Sequence, residues 1–145
     1  MSALSMSKAE REAFLAGVHV GVVSIAESGR GPLAVPIWYG YEPGGDVWFL
    51  TGRQTRKAAA LRETGRASFC VQTENAPYQY VAVEGPVSIE DTFDADRRRE
   101  LAEKYLGPEF GALYLASTEE SSAEDITVRL HPEHWLSVDY NKMFA

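Results

Sequence analysis

The chain has 145 residues, of which 45% are hydrophobic and 24% charged, a balance suited to one compact domain with a real core. Twenty-one acidic residues against fourteen basic ones give a formal charge of -7, which argues against sequence-independent binding to nucleic acid or anionic lipid. The one cysteine, Cys70, excludes an internal disulfide framework and a multi-cysteine metal site. No apolar run approaches the ~20 residues of a membrane helix, so the expectation is a protein of the reducing cytoplasm.

Ser7 and Glu10 have capping-box spacing, which predicts a short helix running to about Ala16 and closed by Gly17. This charged start reads as a helix opening rather than a secretory leader. Residues 18–26 are rich in Val and Ile and predict a strand covered on both faces or passing through a barrel core. Beyond a turn at 27–32, residues 33–41 and 47–51 predict two more strands around a tight turn at 42–46, so the first half reads as an antiparallel meander. Pro36 falls inside the second of these strands. It cannot donate to a ladder, which marks an edge, a bulge or a place where something other than a strand approaches the backbone.

Residues 55–63 are helical in composition and Thr64-Gly65 stops them. Residues 67–72 and 80–89 predict two strands around a turn at 73–77. Residues 91–106 form an amphipathic helix ended by Gly107-Pro108, and 119–125 a polar loop. Residues 126–130 are a last strand, followed by Pro132 and an aromatic segment at 135–140. With no repeat and no linker, the pattern predicts a single mainly β domain, a small barrel of about six antiparallel strands with peripheral helices.

The segment Thr51-Gly52-Arg53-Gln54-Thr55-Arg56-Lys57 joins a strand end to a helix start and gathers two hydroxyls and three cations. A helix N-terminus offers free N–H groups and partial positive charge, so this is the place where an anionic phosphate would bind. The bland alternative is a solvated basic helix start with Thr55 as a plain N-cap. It is not a Walker loop, because the glycine spacing is missing. His131-Pro132-Glu133-His134 holds two imidazoles, but the proline breaks any helix and no third ligand is near in sequence, so no metal site is assigned. His19 in an apolar segment reads as a hydrogen-bonded core histidine, and Cys70 as buried and inert. No G-x-S-x-G elbow is present, and no Ser, His and Asp set can be paired from sequence.

Several stretches taken together carry a resemblance: the opening helix, Val-Pro-Ile-Trp, Phe-Leu-Thr-Gly, Thr-Arg-Lys-Ala-Ala-Ala-Leu-Arg, Tyr-Val-Ala-Val-Glu-Gly-Pro-Val, and the closing Leu130 to Tyr140. The chain resembles the split β-barrel family of pyridoxamine 5'-phosphate oxidase-like flavin and deazaflavin oxidoreductases. The resemblance implies an FMN-binding type of split barrel and a homodimer with cofactors at the subunit interface. It further implies cofactor-phosphate contacts from Thr55, Arg56 and Lys57, with Leu50 and Thr51 beside them. Val35, Pro36, Ile37 and Trp38 match the strand that runs along the cofactor ring. Tyr80 stands where true pyridoxamine phosphate oxidases carry Gln, and Trp135 matches a residue that reaches the partner's cofactor. The short Lys-Ala-x-x-Leu-Arg form is similar to the branch that uses coenzyme F-420, with FMN as the alternative. The implied activity is hydride transfer to a small or medium conjugated hydrophobic acceptor. A non-catalytic carrier of flavin, deazaflavin or haem is the reading from another class. A deazaflavin carries hydride without needing a protein acid, so no catalytic residue is assigned.

Overall fold

The computed structural model describes residues 2–144. Helix α1 (Lys8–Leu15) starts at the predicted capping box: Glu10 N–H donates to Ser7 Oγ at 3.2 Å and Ser7 N–H to Glu10 Oε1 at 2.8 Å. Lys142 donates to the same Glu10 Oε1, the main reason the carboxyl is held down to about 2, with the Ser7 bonds adding to it. Helix α2 (Arg56–Thr64) is capped by Thr55 and closed by Gly65 at φ 66°. That left-handed conformation is open to glycine at little cost.

The strands are β1 (Gly21–Ile25), β2 (Leu33–Ile37), β3 (Val47–Gly52), β4 (Arg66–Gln72), β5 (Gln79–Glu90), β6 (Asp125–Leu130) and β7 (His134–Asp139). They form one antiparallel sheet in the order β2-β1-β4-β5-β6-β3, with β7 added on β5. There is one strand more than the expected six, because the aromatic segment after Pro132 pairs along β5 from Gln79 to Glu84. Pro36 does lie on an edge strand, β2.

Two expectations are corrected. The first half is not a meander: β3 leaves β2 after an isolated bridge between Gly40 and Trp48 and pairs with β6. Strand pairing is settled by which faces can be buried together, and sequence adjacency does not decide it. The first strand begins at Gly21 rather than residue 18, and its residues alternate, with Val23 and Ile25 fully buried while Val22 is 38% exposed. Gly107 ends the predicted helix as expected: within the helical region α3 (Ala95–Ser117) its backbone is non-helical at φ 79° and ψ 169°, and a second helix starts from Pro108, which as a first-turn residue needs no N–H partner.

The inner face of the sheet packs Val23, Phe49, Phe69, Val71, Val81, Val83, Val128 and Leu130 into one core with Leu15 and Leu61. Tyr39 is fully buried in it, with its hydroxyl donating to the Leu15 carbonyl at 2.6 Å. Helix α3 is tied to the same segment by Lys104, whose Nζ donates to Tyr39 O at 2.7 Å, and by Tyr105, whose hydroxyl donates to His19 O at 2.6 Å. Burial pushes the Lys104 ammonium down and the Tyr105 hydroxyl up.

Strand β5 is shared by two neighbours on one side. β6 pairs with Val87–Glu90 and β7 with Gln79–Glu84, and the chain passes between them at Gly85. His131 N–H donates to Pro86 O and Glu133 N–H to Glu84 O, both at 2.9 Å. A Cβ on Gly85 would stand 1.9 Å from the His131 carbonyl oxygen. Backbone on both sides of this contact is held in ladders, so relief requires moving a strand. Gly85→Ala is therefore expected to destabilise the fold by about 2 kcal/mol or more, read as a lower midpoint in urea with unchanged slope.

Candidate functional site

β3 ends at Thr51-Gly52 and the chain turns directly into α2, so the strand end and the helix start share one corner. Thr51 Oγ1 and Thr55 Oγ1 lie 2.9 Å apart, and Thr55 Oγ1 also receives the Ala58 N–H at 3.2 Å. Among the described residues the N–H groups of Arg56 and Lys57 have no backbone or side-chain acceptor. They point, with the dipole, out of the helix start, as donors for an anion.

The three cations of this corner are not equivalent. Arg53 pairs with Asp91 at 2.9 Å, and Arg56 makes a two-pronged contact with Glu27 on the β1–β2 turn. The Arg56 guanidinium holds the Glu27 carboxyl below the usual range. Lys57 has no carboxylate within 4.0 Å among the described residues, although its charge reaches Asp125, opposite Gly52 in the β3–β6 ladder. Burial raises the Asp125 carboxyl, with Arg98 and Lys57 opposing the rise. Only one of the three cations is thus left without a fixed partner.

The other candidates are spread across the sheet. Leu50 is half-buried on β3, and Val35 and Ile37 on β2 pack against the core while Pro36 between them is exposed. Trp38 lies just past the end of β2. Its ring stacks on Tyr105 at 5.0 Å and meets Tyr114 at 5.2 Å, so it belongs to the α3 contact. Tyr80 stands at the start of β5 opposite Gln72 and Val138, at the other end of that strand from the α2 corner. Trp135 on β7 packs against the core beneath the Arg11 guanidinium, 4.5 Å from its ring centre. The structure therefore groups Leu50, Thr51, Thr55, Arg56 and Lys57, and within one subunit leaves Tyr80 and Trp135 away from them.

Two histidines gain partners that the sequence did not reveal. His131 Nδ1 lies 2.9 Å from Asp46 Oδ1 and its Nε2 2.9 Å from Ser88 Oγ. This is the spacing of a Ser-His-Asp relay, built by residues far apart in the chain. Ser88, however, is exposed on β5 and lines neither cavity beside Asp46, which gives a nucleophile no place to meet a substrate. His134 takes Glu133 instead. Cys70 faces outward from β4 and is half-buried, and burial pushes its thiol up, away from the reactive thiolate.

A family model described as pyridoxamine 5'-phosphate oxidase matches residues 7–136. The chain belongs to this family. No curated protein matches it by sequence. Among solved structures, a conserved hypothetical protein of Mycobacterium tuberculosis is 21% identical with a TM-score of 0.78, covering 100% of this chain and 92% of its own. An F-420 reductase is 17% identical with a TM-score of 0.69, covering 86% and 94%. A FAD-binding protein of Mesorhizobium loti is 19% identical with a TM-score of 0.66, covering 92% of each chain. At these identities the likeness establishes the fold, which is the split β-barrel of the pyridoxamine 5'-phosphate oxidase family. Among the described residues no helix is long and apolar enough to cross a membrane.

His19 is hydrogen-bonded as expected from sequence, but it is half-buried just ahead of β1 rather than in the core. Its Nε2–H donates to Phe14 O at 2.9 Å and its ring stacks on Phe14 at 4.5 Å. Burial lowers its pKa, outweighing the bond to Phe14. The folded state then binds fewer protons than the unfolded chain, so the stabilising contribution is complete above the unfolded value of about 6.5 and is lost as pH falls below it. Melting temperature should drop between about pH 7 and pH 5.5 in the wild type and drop less in His19→Gln, which keeps a donor.

Proposed function

We propose that the protein is an oxidoreductase that uses the deazaflavin coenzyme F-420 to pass hydride to a small or medium conjugated acceptor, with the cofactor held at the interface of a homodimer. The observation that carries this reading is the α2 corner, where unpartnered N–H groups, the Thr51 and Thr55 hydroxyls and an unpaired Lys57 make a donor set with the chemistry of a phosphate site. The fold shared with an F-420 reductase supports the choice of cofactor. The FAD-binding neighbour and the family's own flavin chemistry favour FMN as the second reading.

A bound deazaflavin would supply a two-electron hydride carrier. The chain's part is to hold and orient. Thr55 and the N–H groups of Arg56 and Lys57 would grip the phosphate, and Lys57 would neutralise it. Arg56 would join only by sharing or leaving Glu27, which makes Glu27 a brake on anion affinity. The exposed edge at Val35 and Pro36 offers backbone along which a flat ring can lie, since Pro36 leaves one ladder position undonated.

Support for the homodimer comes from the outer face of the sheet. Pro36, Val22, Cys70, Ala82 and Leu136 sit opposite one another in register across β2, β1, β4, β5 and β7. A row of small and apolar side chains on this face, with Leu136 59% exposed, suits a partner sheet better than water. Ala82→Arg, which plants a charge mid-row, should shift sedimentation from dimer to monomer while the far-UV dichroism is retained.

Parallel fluorescence titrations with F-420 and FMN test the cofactor assignment. F-420 should bind more tightly than FMN, and Lys57→Ala should weaken that binding by about 1.5–3 kcal/mol, the usual worth of a charged hydrogen bond. Preference for FMN selects the second reading, and an unchanged dissociation constant in Lys57→Ala removes the corner as the phosphate site.

A further inference from the structure

A cavity of about 460 Å³ lies between α3, the start of β3 and the chain that links α1 to β1. Its wall includes Val18, Gly40, Trp48, Leu101, Lys104 and Arg129. The indole of Trp48 is seated on bare backbone: a Cβ at Gly40 would stand 2.1 Å from its Cε2 and 2.3 Å from its Cζ2 and Nε1. The two residues are locked in that register, with Gly40 N–H donating to Trp48 O at 2.8 Å and Trp48 N–H to Gly40 O at 3.0 Å.

The three tryptophans are used differently. Trp38 stacks on Tyr105 and Trp135 lies beneath the Arg11 guanidinium. Among the described residues Trp48 has neither a ring nor a cation against it, and its indole N–H has no acceptor. It is half-buried and borders the cavity. An indole that is fixed in place and unmatched on its open side is a platform for another flat ring.

The rim carries hydrogen-bonding groups of both kinds, all reachable from solvent. Lys104 is held 4.3 Å from the Tyr39 ring centre with its Nζ donating to Tyr39 O, which leaves it further N–H groups. Arg129, its side chain 29% exposed, spends Nε on Glu90 and has no acceptor for its terminal nitrogens among the described residues. Glu42 and Glu100 also line the cavity, both exposed and with no cation within 4.0 Å among the described residues. Glu100 and Lys104 have the spacing of a helix ion pair and yet do not close one. An anion here would meet Glu42 and Glu100, and a cation would meet Lys104 and Arg129, so the mixed rim selects a neutral ligand. A flat heterocycle with acceptors and an amine on its edge satisfies both signs at once, and the volume holds such a ring with a small substituent. The formal charge of -7 disfavours a polynucleotide, which leaves a free base or nucleoside.

We propose that this cavity binds a neutral nitrogen heterocycle of the nucleobase class, stacked on Trp48 with its acceptors toward Lys104 and Arg129 and its exocyclic amine toward Glu100. The site lies at the other end of β3 from the α2 corner, and its assignment does not depend on which cofactor binds there.

Adenosine serves as the probe, and nebularine, the same nucleoside without the exocyclic amine, as its control. Both are titrated by calorimetry into the full chain while the Trp48 indole N–H signal is followed by NMR, the signal being identified by its loss in Trp48→Phe. Adenosine should bind saturably and shift that signal, and nebularine should bind severalfold more weakly. Trp48→Leu removes the platform and should weaken adenosine about tenfold. Glu100→Ala alters only an exposed helix position, so it folds, and it should weaken adenosine severalfold. The proposal is overturned if adenosine gives no saturable shift of the Trp48 signal, if nebularine binds equally, if either folded variant binds adenosine like the wild type, or if F-420 or FMN displaces adenosine.

Discussion

The way β6 and β7 share β5 depends on the contact between Gly85 and the His131 carbonyl. A twelve-residue strand, β5, must serve two partners on the same side, and β6 and β7 can follow each other along it only if the connecting chain crosses close to its backbone. With a hydrogen at position 85 the carbonyl fits, while a methyl would sit at 1.9 Å. β6 pairs with β3, and hence reaches the α2 corner, while β7 pairs along the first half of β5. The close passage of this connection along β5 thus depends on the missing side chain at Gly85.

The same crossing explains why His131 matters although it carries no reaction here. Its backbone is fixed to Pro86 and its ring is clasped by Asp46 and Ser88, so the β6–β7 loop is tied to the turn before β3. The clasp engages Asp46, while Arg11 on α1 lies over the Trp135 ring.

Electrostatics at the α2 corner follows a similar logic. Three cations are close in sequence, yet Glu27 and Asp91 arrive from distant turns and engage Arg56 and Arg53. These pairs are exposed and individually weak, so they tune the corner without silencing it. What stays available is the part that no carboxylate reaches, namely the helix N–H groups and Lys57. The donor capacity there belongs to the helix start as a whole more than to its count of basic residues.

The local elements were legible in the sequence because each is governed by neighbours in the chain. The Ser7–Glu10 cap, the Thr55 cap, the Gly65 stop and the edge-seeking Pro36 need only backbone geometry and a few side-chain atoms within reach. Family membership and the split barrel were likewise legible, because motif order along the chain carried them. Strand order was not, since β3 chooses β6 over β2 according to which apolar faces can be closed together. The partners of Arg53 and Arg56 and the Asp46–His131–Ser88 chain all depend on segments tens of residues apart. Hydrogen bonding and burial are satisfied in space, so only the folded chain decides which polar groups are spent on structure and which remain for a ligand.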